Sequence, residues 1–275
     1  MANDKLVEFE CIDLTVSDDN EICSAESAPE TDNGPNFAQG SDSPFWPAIA
    51  VEGNVLGPFE HDILARGLWF NDEIVNGYMN LLARKTGAAG ATAVAAVSSF
   101  LLPELLGRGR DHPAQVIARH LKHYQLKALR IALFPVNQDG FHWILVVWHV
   151  QQGRLRLFDS LKAGKALHNK RLLKQLSAHI NHYLESDASV ESLLDAMTLA
   201  DTHGQRYRGV PLIRDAETVQ DMPQQMDGSS CGAFTCKFAY NAVNDLEQKA
   251  FNVSLFRRQM IQDFLSGRNK THGDG

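Results

Sequence analysis

The most continuous apolar stretch of the chain is residues 142–150, where Trp143, Ile144, Leu145, Val146, Val147, Trp148 and Val150 leave only His142 and His149 polar. Gln151-Gln152-Gly153 interrupts it, and Arg154-Leu155-Arg156-Leu157-Phe158-Asp159 then alternates polar with apolar. A short β-branched and aromatic run, a glycine-bearing break and a period of two predict an antiparallel hairpin. Another strand is expected over 128–135, and short extended pieces at Pro211-Leu212-Ile213 and over 218–221.

Elsewhere the period is helical. Asn71 can cap a helix whose first turn carries Asp72 and Glu73 and whose Ile74, Tyr78 and Leu81 share a face as far as Arg84. Pro113 opens a second helix to about Tyr124, and Leu172, Leu173, Leu176, Ile180, Tyr183 and Leu184 mark a third over 165–185. Phe234, Phe238 and Val243 mark a fourth from Cys231 to about Glu247. The Ala- and Gly-rich stretch 88–97 has no clear period, and the polar segment 186–208 is expected as an exposed insertion. This order gives an α+β fold, a mixed central sheet flanked by helices, in one domain over 46–265 with 266–275 as a flexible C-terminal tail.

Charge divides the chain differently. Of the net −7, residues 1–45 contribute 11 acids against the single base Lys5, and the remainder carries 22 acids and 25 bases. A −10 segment poor in aromatics cannot bury enough apolar surface to offset the entropy of ordering, so 1–45 is expected to be a disordered acidic tail. Overall acidity argues against a phosphate-neutralising nucleic-acid binder, and no run approaches the ~18 apolar residues of a membrane span. The four cysteines, 11, 23, 231 and 236, form no C-x-x-C pair and no zinc spacing, and no apolar signal segment follows Met1. A reducing, intracellular setting is expected, which excludes a disulfide scaffold but leaves a cysteine free for chemistry.

Four residues carry that chemistry. His142 and Asp159 lie on the two strands of the predicted hairpin, where a carboxylate can orient an imidazole and stabilise its cation; the plain alternative is a surface histidine and a strand-ending acid. Cys231 follows the loop Gly228-Ser229-Ser230 at the first turn of a predicted helix, where unpaired N–H groups favour a thiolate. Gln225, six residues earlier, offers a side-chain amide to an oxyanion hole. Cys236, inside the same helix, reads as a buried structural thiol, and Cys11 and Cys23 in the tail have no nearby base.

With Phe134-Pro135-Val136-Asn137, His142-Trp143, Phe158-Asp159-Ser160-Leu161 and Pro223-Gln224-Gln225-Met226-Asp227-Gly228-Ser229-Ser230-Cys231-Gly232, the chain resembles the ubiquitin-like-protein proteases, the SUMO-specific or sentrin proteases, on an adenain-like, papain-related fold. Trp69-Phe70-Asn71-Asp72-Glu73 is similar to that family's W-L-N-D-E motif. The resemblance implies Cys231 as nucleophile, His142 as general base and acid, Asp159 as its orienter and Gln225 as oxyanion donor. It further implies that Trp69 and Trp143 cover a tunnel for the substrate's Gly-Gly terminus, that Asp72 contacts substrate, and that neither metal nor organic cofactor is needed. Ser230 departs from the family's D-C-G, which leaves the modifier less defined than the mechanism. In the tail, Ile12-Asp13-Leu14-Thr15 followed by Asp18, Asp19 and Glu21 resembles a SUMO-interacting strand with acids for basic partner residues. The expected partners are SUMO and SUMO-conjugated proteins, met by a monomer in the nucleus, the cytoplasm or both. The alternatives are a protease for ubiquitin or another modifier, a Cys-His-Asp acyltransferase, and a non-catalytic SUMO-binding protein.

Overall fold

The computed structural model describes residues 48–51, 53–88, 93–106, 112–161, 166–195 and 209–267, without the side chains of 87–88 and 186–195. The tail expected at 1–45, with Ile12, Asp13, Leu14 and Thr15 in it, lies outside these residues. In chain order the elements that build the fold are β1 (Ile49–Val51), β2 (Asn54–Leu56), α1 (Pro58–Arg66), α2 (Asp72–Ala88), β3 (Ala93–Ala96), α3 (Leu101–Leu106) and α4 (Pro113–Leu121). There follow β4 (Leu129–Gln138), β5 (His142–His149), β6 (Arg154–Phe158), α5 (Ala166–Asp195), β7 (Asp215–Thr218), α6 (Cys231–Val243) and α7 (Val253–Gly267).

β1 and β2 pair with each other, while the main sheet has the order β3-β4-β5-β6-β7, parallel at its two outer pairs and antiparallel at the inner two. Central β5 explains the unbroken apolar run. Trp143, Leu145 and Val147 pack into the layer of α1, α2, α6 and α7, and Ile144, Val146 and Trp148 into the opposite layer of α3, α4 and α5. A strand covered on both faces needs no polar alternation, and each fully buried aliphatic side chain contributes roughly 1.5–3 kcal/mol. The α+β class with a mixed sheet between helices is thus the one expected from the sequence.

Several boundaries differ, for physical reasons. β4 continues through Pro135 to Gln138; β3 covers β4 only as far as Leu133, so the proline falls where β4 has no neighbour on that side. β3 itself lies in the Ala- and Gly-rich stretch, where small residues give no recognisable strand pattern. β7 forms at Asp215–Thr218, sharing only Thr218 with the expected pieces, because its register to Arg154–Leu157 supplies the pairing. α5 runs on to Asp195, so helix replaces the first part of the expected insertion, and α6 stops at Val243, where the Asn244 amide closes on the Tyr240 carbonyl. α7, with Phe256, Met260 and Phe264 buried on one face, extends to Gly267 and takes in the first two residues of the expected C-terminal tail.

Candidate active site

α6 is buried along almost its whole length, and Cys231 is its first residue. Asp227 organises the loop that leads there: its carboxylate accepts from the Ser229 and Ser230 amides, both at 2.8 Å, and from the Ser230 hydroxyl at 2.7 Å. Burial works against its ionisation, but these donors and the nearby Arg257 charge hold the Asp227 carboxyl below the usual range. The Asp227 carboxylate therefore ties down the nucleophile loop. The next residue, Gly232, lies against the segment ahead of α2, where a Cβ would stand 2.6 Å from the Phe70 Cβ. Only glycine lets the α6 backbone come this close to the Phe70 side chain. Arg257, from α7, lies over the Phe70 ring at 4.5 Å and donates to the Ile63 and Leu68 carbonyls at 3.1 and 2.9 Å.

The imidazole and carboxylate come from the sheet. Asp139 and Gly140 take left-handed angles, φ 56° and 79°, and turn β4 into β5 so that His142 stands opposite Gln138. Phe158 pairs with Leu145, which carries the following Asp159 to the same end of the sheet. There the His142 Nε2–H donates to Asp159 Oδ1 at 2.6 Å, with the two side chains 3% and 4% exposed. Asp159 Oδ1 also accepts from the Leu161 amide at 3.0 Å, and Oδ2 from Asn169 Nδ2 at 2.8 Å. Burial alone would raise the Asp159 pKa, but these three donors and the imidazolium charge pull it below its ordinary value. Burial would equally discharge His142, yet its bonds to Asp159 and Cys231 prevail and hold its pKa up at about 8. With Nε2 committed to Asp159, Nδ1 is left for the thiol. The Cys231 thiol, which burial would push up, is instead brought down by the His142 bond, the Trp143 amide, the imidazolium charge and the Gly232 amide.

Gln225 is fixed beside this pair. Its backbone N–H donates to the Ser160 carbonyl at 3.0 Å, and its Oε1 accepts from the Ser160 hydroxyl at 2.6 Å. The nitrogen end must then face away from Ser160, and it donates to the Asp227 carbonyl at 2.7 Å. One of the two amide hydrogens is so engaged, and the second is available to a ligand. Trp143 is buried, and its Nε1–H donates to the Phe70 carbonyl at 2.9 Å, whereas the adjoining Trp69 remains 49% exposed. Trp143 is thus tied to the backbone segment that carries Trp69. Asp72 stands apart, half-buried on the first turn of α2, where it lines a polar cleft with Asn76, Ser98 and His123 that includes none of Cys231, His142, Asp159 or Gln225. Ser160, Asn169 and Asp227 are not found by sequence reasoning as site residues. Ser160 and Asp227 fall inside recognised motifs without a pattern that assigns them, and Asn169 lies on a helix whose period points only to its apolar face.

Fold and site define a chain with a thiol–imidazole–carboxylate centre, flanked by an amide donor, at one end of a mixed sheet between two helical layers. The chain belongs to the Ulp1 protease family: the profile of that family's C-terminal catalytic domain matches residues 68–274. It is 30% identical over 199 residues to sentrin-specific protease 2 of Rattus norvegicus, covering 72% of this chain and 30% of the relative. Ubiquitin-like-specific protease 1A of Arabidopsis thaliana is 24% identical over 210 residues, covering 74% of this chain and 38% of the relative. The chain therefore spans about a third of the length of such curated relatives. Among solved structures, the C-terminal Ulp1 protease domain in complex with Smt3, the yeast ortholog of SUMO, shares the fold with a TM-score of 0.63 at 18% identity, over 82% of this chain and 90% of that one. Ulp1 with its catalytic cysteine oxidised to a sulfenic acid gives a TM-score of 0.59 at 20% identity, over 79% and 85%. Among the described residues no helix is long and apolar enough to cross a membrane.

Proposed function

We propose that the protein is a cysteine isopeptidase and peptidase that cleaves after the C-terminal Gly-Gly of SUMO, releasing it from conjugates, precursors or both. The observation that carries this reading is the buried line from Cys231 through His142 to Asp159, in which a 2.6 Å bond orients the imidazole and the imidazole acidifies the thiol. The sentrin-specific names of the relatives support the choice of modifier.

The Cys231 thiolate adds to the carbonyl carbon of the terminal glycine. The remaining N–H of Gln225 and the N-terminus of α6 stabilise the oxyanion. As the tetrahedral adduct collapses, the C–N bond breaks, His142 gives the proton on Nδ1 to the departing amine, and a thioester remains on Cys231. Water then adds to the thioester carbon and passes a proton to His142, and the C–S bond breaks to return the thiolate. Asp159 holds the tautomer and the charge of His142 through both steps. Trp69 and Trp143 line the approach, where flat rings fit glycine backbone and exclude any Cβ, and Asp72 contacts the modifier away from the chemistry. Asp227 holds the nucleophile loop with Ser230 at the position before Cys231, so the SUMO reading does not depend on an acid there. The enzyme acts as a monomer in the nucleus, the cytoplasm or both, its catalytic domain at 46–265, with Ile12, Asp13, Leu14 and Thr15 of the 1–45 tail adding a second hold on SUMO.

Turnover of a SUMO–fluorophore amide tests the reading. Cys231→Ser is expected to abolish cleavage while keeping SUMO binding. Cleavage of the matching ubiquitin substrate in place of SUMO contradicts the choice of modifier, and full activity of Cys231→Ser contradicts the mechanism.

A further inference from the structure

The sheet alternation that directs Ile144 and Val146 toward α5 also directs His142 there, and Gln138, its direct partner across the β4–β5 pair, shares that face. Asn169, on the first turn of α5, closes the gap between them. Its Nδ2 donates to Asp159 Oδ2 at 2.8 Å, and its Oδ1 accepts from Gln138 Nε2 at 3.0 Å. The result is a chain of four buried polar side chains, Gln138, Asn169, Asp159 and His142, each 3% or 4% exposed. The direction of every bond in it follows from chemistry. An ionised carboxylate only accepts, so Asn169 must turn its NH₂ toward Asp159, which leaves its oxygen facing Gln138, which must donate. A buried amide aimed at one carboxylate oxygen fixes the rotation of the whole group and leaves the other oxygen directed at Nε2.

We propose that Asn169, oriented by Gln138, is a positioning residue that holds the Asp159 carboxylate in the rotation from which it orients His142, and through it the Cys231 thiol. This rests on the reading of Cys231 and His142 given above. Without the Asn169 amide, Asp159 Oδ2 lacks its donor, the carboxylate can turn, the His142 bond weakens and the imidazolium no longer supports the thiolate as well. The titratable and charged groups that bear on the pair are Asp159 from the end of β6, Cys231 and His142 on each other, and Arg257 from α7.

The test is the pH dependence of alkylation of Cys231 in the full chain by iodoacetamide, read on the Cys231 peptide by mass spectrometry so that Cys11 and Cys23 do not contribute. It needs no modifier, so it separates failure of this proposal from failure of the SUMO reading. Asn169→Ala is expected to move the titration midpoint of Cys231 upward by about one pH unit, and to lower kcat about tenfold with KM little changed. Gln138→Leu should give a smaller shift in the same direction. Gln138→Glu should give a larger one than Gln138→Leu, because a carboxylate facing the Asn169 oxygen turns the amide around and sets that oxygen against Asp159. An Asn169→Ala midpoint equal to the parent's overturns the proposal. Should Asn169→Ala not fold, equal shifts in the two Gln138 variants, or none, overturn it.

Discussion

Cys231 and Cys236 lie five residues apart on one helix, 4% and 0% exposed, yet their thiols are driven in opposite directions. Burial pushes the Cys236 thiol far up, and the charge of Arg257 offsets only a little of that. Cys231 meets the same opposition from burial and ends below its ordinary value, because His142 and the Trp143 and Gly232 amides reach it. Exposure therefore does not separate a reactive thiol from an inert one here. The difference is made by the helix end, where amide N–H groups are unpaired, and by an imidazole charged through a carboxylate on another strand.

Exchanging each cysteine for serine is the most drastic way to break this comparison. Cys231→Ser should remove all measurable turnover with little change in Tm. Cys236→Ser should keep kcat but lose about 1–3 kcal/mol of stability, seen by denaturant melts, from a hydroxyl in an apolar site. Next in size is Asp159→Asn, which removes the charge that makes His142 basic. Its kcat should fall steeply, toward the ~10⁴-fold loss known for the equivalent change in a serine triad.

The pH profile sharpens the same contrast. His142 is held up at about 8, so it stays protonated below that value and loses its proton above it, while the thiol of Cys231 is already depressed. The ion pair is lost as His142 gives up its proton, so kcat/KM should have an alkaline limb near pH 8, with a fall of about tenfold per unit beyond it. Gly232→Ala is gentler: the new Cβ meets Phe70, and about 1–3 kcal/mol of stability should go, with a rise in KM as the Trp69–Phe70 segment is displaced. Ser230→Ala should be the smallest, about 1 kcal/mol by melting and an activity within a few-fold of the parent, because Asp227 keeps both amide bonds when the hydroxyl is lost.

The two cysteines also show how far the sequence could be read. Cys231 is recognisable from its place after Gly228-Ser229-Ser230 and its distance from Gln225, and the hairpin bearing His142 and Asp159 from its apolar run. These signals are local, and the structure assembles those residues at one end of the sheet. The supports are not local. Asn169 reaches Asp159 from ten positions away and Gln138 from a further strand, and a polar residue on an amphipathic helix looks the same whether it meets water or a buried carboxylate. Arg257 likewise holds Phe70 and the Ile63 and Leu68 carbonyls from α7, a helix with no counterpart in the sequence reading. β3 was hidden because alanines carry neither period, and the extension of α5 because 186–195 is polar enough to read as loop.

The central claim is that Cys231 is the nucleophile toward a Gly-Gly-ended SUMO. Covalent labelling of the full chain by SUMO with a C-terminal electrophile, beside a matched ubiquitin probe, measures nucleophile and modifier at once. The expected result is a single SUMO adduct mapped to Cys231, lost in Cys231→Ser, retained in Cys236→Ser, with ubiquitin leaving the chain unlabelled. An adduct on any other cysteine, or one formed with ubiquitin and not with SUMO, contradicts it.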